Sequence, residues 1–305
     1  SHWPKVGPPP LDRSSAQLSA AGSTAMQRES RRSRGVAMPM ALAGAAAILG
    51  IVGGHRMLTS PAQEPPAFAW RKAAPAEGTT SADKIEMAKD ALRRADAVCF
   101  DVDSTVVVTE GIDLLAACFG VYDEVSALTK TAMEGNMKFQ DAMAQRLEIM
   151  QPTLEGVKKC LQKEKPRFSP GMQKVMKRLQ DRGVQIYLVS GGFVVMIEPV
   201  AKLLGIPSEN IFANTILFDD EGNYKDFDRA AFTSRSGGKP AVVKHLKKTK
   251  GYDTVIMFGD GATDMDARPP ADAFIGYGGV QVRQSVRDGA DWFVTHWRDV
   301  LSILE

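Results

Sequence analysis

Three short stretches dominated by apolar residues stand out along the chain. They are Val98-Cys99-Phe100, Val184-Gln185-Ile186-Tyr187-Leu188-Val189 and Thr254-Val255-Ile256-Met257-Phe258. Their length and their β-branched and aromatic content predict buried strands. Each stops abruptly at polar or glycine-rich residues. The first runs into Asp101-Val102-Asp103-Ser104-Thr105, the second into Ser190-Gly191-Gly192, and the third into Gly259-Asp260-Gly261-Ala262-Thr263-Asp264. Around the runs the apolar spacing becomes helical. Residues 82–95 carry Ile85, Ala88, Leu92 and Ala95 on one face, and helices are predicted from Ser169-Pro170-Gly171 to Arg182, after Ser190-Gly191-Gly192 to Leu204, from Ser236-Gly237-Gly238-Lys239-Pro240 to Lys250, and at the end through Val300, Leu301 and Leu304. Ala273–Gly276 and Trp292–Val294 add two short strands. Strand–helix alternation of this kind predicts an α/β fold, a doubly wound, Rossmann-like parallel sheet with helices on both faces.

Two stretches break the alternation. Residues 111–164 contain helical segments only, at 112–115, 121–133, Phe139–Met150 and 154–161. An all-helical insert after the first strand predicts a cap over the strand ends, with 111–167 as cap and 81–110 and 168–305 as core. Residues 211–218 and 224–227, joined by Asp219-Asp220-Glu221-Gly222-Asn223, read as a small β-hairpin insertion. Pro170 is expected in the first turn of the helix that follows Ser169, with Gly183 ending it.

Residues 1–80 are of a different kind. Nine basic residues (Lys5, Arg13, Arg28, Arg31, Arg32, Arg34, Arg56, Arg71, Lys72) face four acids (Asp12, Glu29, Glu64, Glu77). Basic, serine-containing and acid-poor composition marks a transit segment for an organelle, a plastid before the cytoplasm in order of preference. Within it the uncharged stretch 35–54 reads either as the apolar part of a secretory-type signal or as a weak membrane span. Its Ala and Gly content favours a processed segment, leaving a mature domain that is not membrane-bound.

The whole chain has 305 residues, 44% apolar and 24% charged, enough to bury a core in one or two domains. A net charge of +2 gives no reason to expect a nucleic-acid partner. The three cysteines, Cys99, Cys118 and Cys160, form no CxxC pair, and their odd count suggests a reducing compartment without a disulfide. Four scattered histidines offer no zinc constellation.

In a doubly wound sheet ligands lie beyond the carboxyl ends of the strands, so the three polar stops should converge. Asp101 and Asp103, one residue apart on a strand end, would share a side and repel unless a hard cation such as Mg²⁺ answers them. Ser190, with the Gly191 and Gly192 amides at a helix start, suits a phosphate. Asp260 and Asp264 add carboxylates, and Lys239 adds a fixed positive charge. Each piece alone is ordinary turn chemistry. Four acids, one serine and one lysine at shared strand ends make a Mg²⁺-dependent phosphoryl-transfer site.

These segments, together with Glu110-Gly111-Ile112-Asp113, Ala132-Met133-Glu134-Gly135 and Ser236-Gly237-Gly238-Lys239, resemble the haloacid dehalogenase superfamily of aspartyl phosphatases over roughly residues 82–305. Within it they resemble the branch acting on phosphoserine. The resemblance implies that Asp101 attacks phosphorus and that Asp103 protonates the leaving oxygen, then serves as base. It implies metal ligation by Asp101, Asp260 and the backbone carbonyl of Asp103, with Asp264 orienting the metal shell and Lys239. Ser190, Gly191, Gly192, Lys239 and Thr263 would hold the phosphoryl group. Glu110 would take the substrate ammonium, Arg146 its carboxylate, and Met133 and Phe139 would close over it. The substrate so implied is the small molecule O-phosphoserine, the reaction is the last step of serine biosynthesis, and the protein acts as monomer or homodimer. Two readings compete: a phosphatase or phosphotransferase for another small monophosphate, and a non-catalytic phosphate- or Mg²⁺-binding module.

Overall fold

In the computed structural model, which describes residues 80–132 and 137–305, the first strand, β1 (Ala97–Phe100), lies at the centre of a six-stranded sheet. Its four residues are all buried. A strand covered on both faces has no polar side, which is why it reads as a continuous apolar run. Its side chains still alternate: Val98 and Phe100 enter one core, Ala97 and Cys99 the other.

The chain reaches β1 through helix α1 (Ser81–Arg93), opened by a capping box in which Thr80 and Asp83 exchange hydrogen bonds. After β1 come four helices, α2 (Gly111–Cys118), α3 (Tyr122–Thr131), α4 (Phe139–Met150) and α5 (Leu154–Lys163). They share their own apolar cluster, which includes Leu115, Val125, Leu147 and Val157. The chain then returns through α6 (Met172–Asp181) and β2 (Gln185–Phe193), followed by α7 (Val194–Leu203) and β3 (Ile211–Asn214). A two-stranded antiparallel piece, β4 (Ile216–Phe218) with β5 (Tyr224–Phe227), precedes α8 (Gly238–Lys250) and β6 (Val255–Gly259). The remainder is α9 (Ala262–Met265), β7 (Ala273–Tyr277), α10 (Gln284–Gly289), β8 (Trp292–Val294) and α11 (Trp297–Leu304).

The sheet order is β3-β2-β1-β6-β7-β8, with every pairing parallel. The chain builds outward from β1 on one side, then returns to β1 and builds outward on the other. β1 is therefore flanked by the crevice where such sheets bind ligands. The predicted doubly wound sheet is present.

One face of the sheet packs Phe100 and Phe258, stacked 4.9 Å apart, against Trp297 of α11. The Trp297 indole N–H donates to Ser169 Oγ (2.8 Å), whose own hydroxyl donates to the Thr105 carbonyl (2.6 Å). The last helix thus braces the loop that follows β1.

Three expectations need correction. Helix α6 starts at Met172 behind Gly171, whose φ of +97° suits glycine, so Pro170 precedes the helix instead of entering its first turn. Residues 211–218 are two strands: Ile211 and Phe212 pair with Leu188 and Val189 in the main sheet, leaving only 216–218 for the antiparallel pair. The disulfide expected to be absent is present, Cys118 of α2 joined to Cys160 of α5, with Cα atoms 5.8 Å apart. Counting three cysteines could not reveal that helix packing sets two of them side by side. Cys99 is free and buried, as its place in the strand implied. The segment 1–79 and Met133 lie outside the described residues. No described helix is long and apolar enough to cross a membrane.

Candidate active site

The strand ends open into a cavity of about 770 Å³, bounded on the opposite side by α2 and α4. Apart from Met133, every candidate residue from the sequence lines it: Asp101, Asp103, Glu110, Phe139, Arg146, Ser190, Gly191, Gly192, Lys239, Asp260, Thr263 and Asp264.

β1 stops at Phe100, although the Asp101 amide still donates to the Phe258 carbonyl (2.9 Å). Residues 102–106 then form one wide turn closed by Val107 N on Val102 O (3.0 Å), with Ser104 at φ +53°. Asp101 precedes this turn and Asp103 lies within it, and the two meet different partners. The buried Lys239 ammonium reaches Asp101 Oδ1 (2.8 Å) and Asp264 Oδ1 (2.5 Å). Burial alone would depress the Lys239 pKa, but the two carboxylates more than reverse that and hold it above its ordinary value.

Asp101, Asp260 and Asp264 form a buried trio whose oxygens lie within 4.8 Å of one another. Burial, with Asp101 nearby, pushes Asp260 up to about 6. Burial also raises Asp264. Three hard oxygen donors whose charges resist burial together fit a hard divalent cation. Gly259 lets them meet: a Cβ there would fall 2.1 Å from Asp264 Cγ.

Asp103 stands apart from that trio. Its Oδ1 accepts the Gly111 amide at the start of α2 (2.9 Å). Burial first, then the charges of Glu110 and Asp101, raise its pKa well above the usual carboxylate range. A carboxyl so placed keeps its proton to higher pH, which suits a general acid.

On β2, Ser190 Oγ accepts the Gly192 amide (2.9 Å), leaving its proton for another acceptor. Asn214 fixes this strand end by donating to the Gly191 carbonyl (2.8 Å). Phe139 of α4 lies over Gly191 so closely that a Cβ there would be 2.9 Å from the ring. Glu110 accepts the Ser104 hydroxyl (2.7 Å), and burial raises its pKa. Arg146 donates through Nε to the Ala142 carbonyl of its own helix (3.0 Å). Among the described residues its other guanidinium nitrogens make no hydrogen bond, and Arg146 lines the cavity.

The sequence reading missed Arg283. It follows β7, donates to Asp260 Oδ2 through Nε (3.0 Å) and a terminal nitrogen (2.9 Å), and lies 3.9 Å from Glu110. Its position past a strand end was the available signal. Thr105 and Ser104 were likewise read only as the end of a motif, yet Thr105 donates to Asp260 (3.4 Å).

A parallel sheet with acidic strand ends beneath inserted helices is the build of a haloacid dehalogenase-like hydrolase, and residues 95–272 match the family model of that description. The chain is 50% identical over 211 residues to the phosphoserine phosphatase of Bos taurus, covering 69% of this chain and 94% of that one. It is 47% identical over 218 residues to the chloroplastic phosphoserine phosphatase of Arabidopsis thaliana, covering 71% and 74%. A solved phospho-aspartyl intermediate analogue of phosphoserine phosphatase superposes with a TM-score of 0.61 at 26% identity, over 69% of this chain and 99% of that one. The chain belongs to the phosphoserine phosphatases of the haloacid dehalogenase-like family.

Proposed function

We propose that this chain hydrolyses O-phospho-L-serine to L-serine and phosphate through an aspartyl phosphate on Asp101, with Mg²⁺ as cofactor. The observation that carries the reading is the division of labour between two neighbouring carboxyls. Asp101 is ion-paired with Lys239 (2.8 Å), whereas the Asp103 carboxyl accepts the Gly111 amide instead and burial raises its pKa despite the lysine's charge.

The steps follow from these environments. An Asp101 carboxylate oxygen attacks phosphorus as the bond to the serine oxygen breaks. Asp103 gives its proton to that leaving oxygen. Now ionised, Asp103 takes a proton from water, which attacks the same phosphorus and breaks its bond to Asp101. Lys239, the Ser190 hydroxyl and the Gly191 amide hold the phosphoryl oxygens as charge builds on them, with Gly192 and Thr263 beside them. Mg²⁺, when held by Asp101, Asp260, Asp264 and the Asp103 carbonyl, supplies positive charge against the phosphoryl group.

The substrate's amino-acid head has two charges to satisfy. Glu110 is placed for the ammonium and Arg146 for the carboxylate, an acceptor suited to a guanidinium fork. A phosphate ester without that head would need neither, which argues against another monophosphate as substrate. Phe139 covers the site from a cap of residues 111–167 over a core of 81–110 and 168–305, and Met133, its partner in the sequence reading, lies outside the described residues. Serine biosynthesis in a plastid is the setting this reading favours, supported by the composition of 1–80 and the chloroplastic relative.

The test is phosphate release by the full chain given L-phosphoserine, with and without Mg²⁺, beside Asp101→Asn. Release that requires both the metal and Asp101 is expected. Turnover that survives Asp101→Asn would overturn the nucleophile.

A further inference from the structure

Asp113 is the one described residue with a buried side-chain nitrogen or oxygen, here Oδ1, that has no hydrogen-bond partner. A buried carboxylate oxygen without a donor costs roughly 1–3 kcal/mol or more, so such a group calls for a reason. It lies in the first turn of α2, three residues beyond Glu110, the residue that caps the helix, and its charge acts on the Glu110 carboxyl. Both line the cavity, as does Arg146 across from them on α4. The Arg146 charge acts on Asp113, partly offsetting the effect of burial, which raises the Asp113 pKa. Burial in turn lowers the Arg146 pKa, an effect that the charges of Asp113 and Glu110 offset in part.

The donors of Arg146 are limited. Nε is committed to the Ala142 carbonyl, leaving two terminal nitrogens with four N–H groups. The inner pair forms the fork that a substrate carboxylate fills end-on. The outer N–H groups then need acceptors of their own in a half-buried place.

We propose that Asp113 is a positioning residue for substrate selection: its free carboxylate oxygen takes an outer N–H of Arg146 and aims the guanidinium fork at the substrate carboxylate. The inference rests on the phosphoserine reading above. It assigns Asp113 a part in recognising the carboxylate alone, separate from Glu110 and the ammonium. The orphaned oxygen gains its donor when the guanidinium turns to grip a substrate.

The experiment uses the full chain, Asp113→Ala and Asp113→Asn, with O-phospho-L-serine and phosphoethanolamine, which keeps the ammonium and lacks the carboxylate. Asp113→Ala should raise KM for phosphoserine about tenfold with kcat within about twofold, the loss of one charged hydrogen bond. Its kinetics with phosphoethanolamine should match wild type. Asp113→Asn keeps an acceptor oxygen in place and should recover part of the affinity, and it decides alone if the alanine variant does not fold. Equal losses with both substrates, a fall in kcat alone, or an unchanged or lowered KM for phosphoserine would overturn the assignment. Wild-type chain inactive on phosphoserine would instead overturn the function on which it rests.

Discussion

Replacing Lys239 with methionine gives the sharpest view of how charge is balanced beneath the cavity. The residue is 7% exposed, and its ammonium touches Asp101 at 2.8 Å and Asp264 at 2.5 Å. Methionine fills a similar volume without charge, so packing changes little. What remains is a trio of carboxylates within 4.8 Å, with Arg283 on Asp260 as the remaining close cation. Removing one partner of a buried ion pair costs about 3–5 kcal/mol, because the surviving charge stays out of water. For a folded unit of this size that corresponds to a fall in Tm of about 6–20 °C. Thermal unfolding in a chelator, followed by circular dichroism, should show that fall. Repeating the scan in millimolar Mg²⁺ should recover part of it, because the cation answers the carboxylates that Lys239 no longer does. A shift smaller than about 2 °C in chelator would refute the view that the trio depends on this lysine for its charge balance. An equal loss with and without Mg²⁺ would refute the trio as the cation's seat.

Asp103 must carry a proton to release serine, so kcat should hold at lower pH and fall as pH rises through its raised pKa. Glu110→Gln removes one of the charges that raise it and should move that falling limb to lower pH, seen in a kcat profile at saturating substrate; an unmoved limb would count against the assignment. Gly191→Ala would set a methyl 2.9 Å from the Phe139 ring and should raise KM by displacing α4, an overpacking cost of about 1–3 kcal/mol. Adding Phe139→Leu should restore binding if the clash is the cause. Cys118→Ser should lower stability by about 2–4 kcal/mol, since the bond closes a long loop between residues 42 apart in sequence. A Tm that is the same in the variant and wild type, and the same with and without dithiothreitol, would mean that the bond does not form in solution.

Much of this arrangement was legible because parallel strands buried on both faces are written as apolar runs, and their polar stops mark where ligands gather. Asp101, Ser190 and Asp260 were readable on that ground, and all three do line one cavity. That Lys239 pairs with Asp101 as well as with Asp264 was not, since α8 reaches the end of β1 only through packing. Arg283 carries no local motif, and Asp113 stood only at the end of the Glu110-Gly111-Ile112-Asp113 segment with no role of its own; each becomes notable only when folding sets it beside a carboxylate or a guanidinium. The same holds for Cys118 and Cys160, whose pairing depends on how α2 lies against α5. Residues 211–218 read as one hairpin arm because alternation looks alike in any strand, and only the exposed edge of β2 drew the first four residues into the main sheet.

The brace from Trp297 to the loop after β1 sets an order of events for a chain leaving the ribosome. β1 is made early, but its sheet partners β2 and β6 follow about 90 and 160 residues later. The indole that secures Ser169, and through it Thr105, comes later still. Contacts this distant in sequence form slowly, and the apolar strand waits uncovered meanwhile. Until Trp297 has emerged, Asp101 belongs to a segment with no finished neighbourhood. Synthesis of nearly the whole chain therefore precedes competence, and a ribosome stalled short of α11 would hold a nascent chain that carries every reactive group and lacks the brace for its nucleophile loop.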